Sequence, residues 1–140
     1  MRAQALVCGA ALVAACARAQ NNSQPASESS AGTARVFDVR EILAGAAAVD
    51  AAVSVRGTCI RMDEKAAFGP SPTSRSDWQM RDGVQPESAI WVVGERPADC
   101  GYDKGSAAPV TIRALVARDT VRQMSGAGVA RWYLRRVRGE

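Results

Sequence analysis

An apolar run from Ala3 to Ala15, interrupted only by Gln4, stops at Cys16, and from Ala17 to Ala34 no aromatic or β-branched residue occurs before Thr33. That break limits what this chain can fold into. Ordering a backbone costs entropy that only buried surface can offset, and a stretch such as Asn21-Asn22-Ser23-Gln24-Pro25 followed by Ser27-Glu28-Ser29-Ser30 has little to bury. A core must therefore be built within Arg35–Glu140, a length that suits one small domain.

The leading segment itself carries an address. Met1 and Arg2 form a minimal basic start, and the apolar run behind them has the length of a signal-peptide core rather than of a bilayer span. Two cuts are available. One precedes Cys16, where Val13-Ala14-Ala15-Cys16 resembles a bacterial lipobox; the other follows Ala17-Arg18-Ala19, a small-residue pattern of ordinary signal peptidase sites. The first leaves Cys16 as a lipid-modified N-terminus, each buried CH₂ adding about 0.8 kcal/mol of membrane affinity. The second releases a soluble product. A disordered leash suits an anchored domain, so the sequence predicts a signal over residues 1–16, lipidation at Cys16, a tether over residues 17–34 and a folded domain over residues 35–140. Ala17 rather than Asp follows the cysteine, which resembles the pattern of exported lipoproteins held at the outer membrane from the periplasmic side.

Of four cysteines, Cys8 and Cys16 belong to the signal, which leaves Cys59 and Cys100 in the domain. In an oxidising compartment an even pair reads as a disulfide, and closing so long a loop would add about 4 kcal/mol on chain entropy alone. A zinc site is a poor alternative: the chain has no histidine, and two isolated cysteines cannot supply four ligands. No cofactor is expected.

The lack of histidine also excludes Ser-His and Cys-His nucleophile pairs. Asp63 with Glu64, and Asp99 with Asp103, lie in polar stretches where solvated charge is the ordinary role of carboxylates, and Gly94–Gly105 lacks phosphate-loop spacing. Catalysis is not expected. Basic charge gathers at the C-terminal end: seven Arg lie between Arg113 and Arg138, against Asp119 and Glu140. This is either an anion-binding face or outward Arg that keep edge strands soluble; the second is the expectation.

Periodicity outlines the elements. Asp38 to about Ala48 reads as a helix with an Asp38/Glu41 capping box and an apolar stripe of Val39, Ile42, Leu43 and Ala46, weakened by Gly45. Ala52–Met62 alternates as a strand, with Gly57 permitting a bend. Residues 62–77 form a long loop. Trp78–Arg81 is a strand that places Trp78 and Met80 inward and Gln79 and Arg81 outward. Ser88–Val93, apolar on both faces, suits a central strand. Residues 97–109 are loop, Val110–Arg118 a fourth strand, 119–130 a flexible connection, and Ala130–Arg138 a fifth strand with Trp132 and Leu134 inside and Arg131, Tyr133 and Arg135 outside.

The run Val53-Ser54-Val55-Arg56-Gly57-Thr58, the pair Trp78-Gln79-Met80-Arg81-Asp82-Gly83 and Ala89-Ile90-Trp91-Val92-Val93, and then Val110-Thr111-Ile112-Arg113-Ala114 resemble small bacterial periplasmic OB-fold lipoproteins. The resemblance spans Asp38–Val137. It departs at Ala51-Ala52, where a Gly is usual before the first strand, and in the length of the hairpin turn after Asp82. It implies a mainly β protein, a five-stranded OB-like Greek-key barrel preceded by a short N-terminal helix, that binds through strands two and three and the flanking loops. It supplies no catalytic residue.

A binding role follows: a lipid-anchored envelope module for a protein partner, a glycan or a small anionic ligand, with Arg56, Gln79 and Arg81 on the outward face and Phe68 in the loop above as candidate contacts. Its other partner is the membrane, through the anchor. The alternative is single-stranded nucleic-acid binding, which needs exposed aromatic platforms beside cations. With Trp78 and Trp132 expected in the core, Tyr133 and Trp91 are the remaining platforms, and nucleic acid is the less favoured partner. A purely structural role in an envelope assembly is the third reading.

Overall fold

The computed structural model describes residues 35–138; the expected signal, the lipidation site at Cys16 and the tether lie outside the described residues. The described residues are mainly β, with six strands in one mixed sheet and one short helix. In order these are β1 (Val36–Asp38), α1 (Val39–Leu43), β2 (Ala52–Cys59), β3 (Trp78–Arg81), β4 (Ala89–Val93), β5 (Val110–Arg122) and β6 (Gly128–Arg136). The strand order is β1-β2-β3-β4-β6-β5, and β2 pairs with β5 as well, so the pairings return to β2. β1–β2 and β4–β6 are parallel; the other pairs are antiparallel. Among the described residues no helix is long and apolar enough to cross a membrane.

Alternation along each strand sends one face inward. Val55 and Cys59 of β2, Trp78 and Met80 of β3, Ile90 and Val92 of β4, Ile112, Ala114 and Val116 of β5, and Leu134 of β6 form one core, closed at one side by Val39 and Ile42 of α1. Each fully buried aliphatic side chain contributes roughly 1.5–3 kcal/mol. Gly57 belongs to this packing for want of a side chain: a Cβ there would stand 2.7 Å from the Arg81 carbonyl oxygen and 2.9 Å from Val39 Cγ2. The glycine lets β2 pass tightly under α1 as its neighbour changes from β1, beside Ser54–Arg56, to β3, beside Thr58 and Cys59.

Several boundaries differ from expectation. The described residues form six strands rather than five, because Val36–Asp38 pairs with Ser54–Arg56 of β2 before α1 begins. The helix spans five residues. Gly45, at φ +78°, ends it: the Gly45 amide donates to the Ile42 carbonyl and the Ala46 amide to the Glu41 carbonyl, a Schellman arrangement. At its start, Glu41 reaches back to accept the Asp38 amide at 2.9 Å. β5 and β6 extend beyond their expected meeting point, with Asp119 opposite Arg131 and Arg122 opposite Gly128, so the connection shrinks to residues 123–127.

Two polar clamps hold the loops. The Asp82 carboxylate, 1% exposed, accepts the amides of Arg40, Val84 and Gln85 and the Arg40 guanidinium, tying the start of α1 to the turn after β3. The Arg96 guanidinium donates to the carbonyls of Ile60, Cys100 and Gly101, which joins the end of β2 to the loop before β5. At the same place Cys59 and Cys100 form a disulfide, as expected, with Cα atoms 5.6 Å apart.

Candidate functional site

Cross-strand register sets Gln79 of β3, Trp91 of β4 and Tyr133 of β6 in one row on the outward face of the sheet. A bare face of this kind would leave Gln79 and Trp91 in water. Instead the loop between β2 and β3 crosses it, and each anchor on the face meets the backbone of the loop. Gln79 Oε1 accepts the Ala66 amide at 2.9 Å and the Ala67 amide at 2.6 Å; Trp91 Nε1 donates to the Gly69 carbonyl at 3.3 Å; Arg131, two residues along β6 from Tyr133, donates to the Pro70 carbonyl. Arg131 is itself fixed by its cross-strand partner Asp119, Nε to Oδ1 at 2.9 Å. Fixing an Arg through a charged pair and a carbonyl satisfies donors that burial would otherwise leave costly.

The far end of the loop is held differently. Asp77, buried just before β3, accepts the Thr73 amide at 2.7 Å, the Ser74 amide at 3.0 Å and both hydroxyls, which winds residues 73–77 into a tight turn. Pinned at both ends, the loop roofs a cleft of about 440 Å³ lined by Arg61, Met62, Lys65, Ser71, Arg75, Asp77, Trp78, Gln79 and Trp91. Clefts of this size accommodate small organic ligands.

The charges of the cleft are unequal. Its one carboxylate, Asp77, spends both oxygens on the turn. Arg61 is paired with Asp63, Nε to Oδ1 at 2.9 Å, and the guanidinium holds the Asp63 carboxyl below its ordinary pKa. Glu64 is paired with Arg81. Among the described residues Lys65 and Arg75 have no ion-pair partner. The Gln79 amide is oriented by the two N–H groups that its oxygen accepts, which leaves Nε2 as a donor with no partner among the described residues.

The four residues expected to make contacts are dispersed by this arrangement. Gln79 lies on the outward face, as alternation requires, yet it is only 4% exposed because the loop closes over it; the expectation of a solvent-facing contact is corrected. Arg56 is exposed on β2 between Asp38 and Thr111, away from the cleft lining. Arg81 is half-buried and engaged with Glu64. Phe68, 47% exposed, stands on the other side of the loop at a smaller apolar hollow of about 260 Å³ with Leu43, Trp91 and Trp132. One further expectation changes for the same reason: Arg131, expected outside, is 6% exposed beneath the loop. Trp132, expected inside, packs partly buried against the core with the Arg118 guanidinium 5.1 Å from its ring centre.

Lys65 and Arg75 were not among the expected contacts. Their signal was available: both lie in the loop between β2 and β3, one toward each end. No family model, curated protein or solved structure matches this chain.

Proposed function

We propose that the chain is an exported, lipid-anchored, non-catalytic binding module of the bacterial cell envelope, built on an OB-type barrel. The observation that carries this reading is the return pairing of β2 with β5. With β1 set aside, the strands make the circuit β2-β3-β4-β6-β5-β2, in which β4–β6 is the parallel contact. A five-stranded Greek-key circuit is what an OB-type barrel requires, and β3 and β4 then correspond to the strands that such barrels use for binding. The roofed cleft lies on those strands. Its carboxylate is committed to the fold, which favours binding over acid–base chemistry. The disulfide suits an oxidising compartment. Single-stranded nucleic acid is the weaker ligand, since Trp78 and Trp91, the tryptophans nearest the cleft, are buried and offer no stacking platform.

Fractionation of host cells tests this directly. The wild-type chain is expected in the membrane fraction, extractable only with detergent and beginning at an acylated Cys16, whereas Cys16→Ser moves it to the soluble periplasmic fraction. An uncleaved wild-type chain in the cytosol with Cys59 and Cys100 both alkylatable would overturn the proposal.

A further inference from the structure

The cleft beneath the loop is polar in one sense only. Its fixed acceptor, Asp77, is saturated by Thr73 and Ser74, while the groups left to meet a ligand are the Lys65 ammonium, the Arg75 guanidinium, Nη1 of the Asp63-paired Arg61, the Gln79 Nε2 amide and the Ser71 hydroxyl. Four of these five can only donate hydrogen bonds, and Lys65 and Arg75 carry full positive charge with no ion-pair partner among the described residues. A neutral polyol would leave its own donors unmatched here, and a cation would meet like charge. A single-charged anion would neutralise one cation and leave the other. The floor adds a second requirement. Met62, Trp78 and Trp91 make it apolar, and the volume of about 440 Å³ exceeds what a bare inorganic anion fills.

We infer that this cleft binds an organic dianion, a phosphate monoester in chemical class, with Lys65 and Arg75 on the phosphoryl oxygens, Gln79 Nε2 donating to a third acceptor and the organic body against the partly exposed Met62 side chain. The inference rests on the reading of the chain as a binding module and names the ligand class of its site. Loop and ligand share one residue: Gln79 holds the roof through Oε1 and lines the cleft with Nε2 unpartnered among the described residues, so binding and closure of the loop would be coupled at a single amide. The same monoester can belong to a free small molecule or to the terminal headgroup of a lipid, and the experiment separates these sources.

The test uses calorimetric titration of the full secreted chain carrying Cys16→Ser, so that no acyl group contributes. The probes are phenyl phosphate, phenyl sulfate, benzyl alcohol and inorganic phosphate. Phenyl phosphate is expected to bind at least about tenfold more tightly than each of the other three. The Lys65→Ala/Arg75→Ala double variant should weaken phenyl phosphate by at least about tenfold, while Arg113→Ala/Arg122→Ala, on exposed strand positions outside the cleft, should leave it unchanged. Gln79→Glu keeps an acceptor for the Ala66 and Ala67 amides but replaces the donor with negative charge, and should lower affinity without loosening the loop. Vesicles containing phosphatidic acid that compete with phenyl phosphate would assign the monoester to a lipid headgroup; absence of competition would assign it to a free ligand. Equal binding of phenyl phosphate and phenyl sulfate, a double variant within about twofold of wild type, or no binding of any probe would overturn the inference. None of these results alters the fractionation outcome, so failure of the ligand class is distinguishable from failure of the envelope reading.

Discussion

Replacing Asp82 is the most informative perturbation of the fold, because one carboxylate joins α1 to the turn after β3. Its oxygens accept the Arg40 amide at 3.1 Å, the Arg40 guanidinium at 2.9 Å, the Val84 amide at 2.8 Å and the Gln85 amide at 2.9 Å. Removing one member of a buried charged pair typically costs about 3–5 kcal/mol. The Arg40 side chain is 35% exposed and can rehydrate, which places Asp82→Ala at the lower end, about 3 kcal/mol. For a domain of this size that lowers Tm by roughly 10–20 °C. The pH dependence follows from the carboxyl itself. Burial alone would push its pKa up, but the amides of Gln85, Arg40 and Val84 and the Arg40 charge outweigh that and hold it below the ordinary value. A depressed folded-state pKa means that the stabilisation is fully present above the unfolded pKa of about 3.9 and is lost as pH falls through the lower, folded value. Asp82→Asn, which cannot ionise, should therefore lie furthest below wild type near neutral pH and converge on it in acid. Urea unfolding followed by tryptophan fluorescence at about pH 7 and about pH 3 measures both effects. A cost below about 1 kcal/mol for Asp82→Ala, or a wild-type to Asp82→Asn gap that is the same at both pH values, would refute the reasoning.

Three further predictions are independent of it. Gly57→Ala places a Cβ against the Arg81 carbonyl and Val39, neither of which can retreat without moving the sheet or α1, and should cost about 2 kcal/mol in urea unfolding. Cys59→Ser/Cys100→Ser opens a loop of sequence separation 41 and should lower stability by about 4 kcal/mol, read as a shift in urea midpoint; coincident curves for the variant and the oxidised protein would contradict it. Gln79→Leu removes the acceptor for the Ala66 and Ala67 amides, so trypsin should cut after Lys65 faster than in wild type, while Arg75, in the turn held by Asp77, is cut at the wild-type rate.

Much of this fold was legible where local pattern and tertiary role agree. Alternation in Ala52–Cys59, Trp78–Arg81 and Val110–Val116 gave the inward set directly, and Ala89–Val93, apolar on both faces, is the strand covered on both sides. Failures came where a residue type has two uses. Gly45 reads as a weak point inside a helix, but at φ +78° it is the left-handed residue that ends one. Asp119 reads as the end of a strand, whereas opposite Arg131 it continues the ladder as half of a charged pair. Alternation places Gln79 and Arg131 on the outward face, where they are, yet both are buried, because a period of two tells which side of a sheet a residue occupies and not what crosses that side. The crossing loop contains Gly69-Pro70-Ser71-Pro72, which signals an irregular segment; its landing place depends on long-range contacts with Gln79, Trp91 and Arg131. The cleft was hidden for the same reason, since Lys65, Arg75 and Met62 belong to the loop, and Trp78, Gln79 and Trp91 to the strands.

The cleft exists only while that loop is closed over the sheet, and amide hydrogen exchange at Ala66 and Ala67 tests the closure most directly. Bonded to Gln79 Oε1 at 2.9 and 2.6 Å, both amides should exchange at least about tenfold more slowly than an unstructured chain and lose that protection in Gln79→Leu. Exchange of Ala66 and Ala67 at the unstructured rate, with the strand amides of the same sample protected, would contradict the roofed cleft and the binding site built on it.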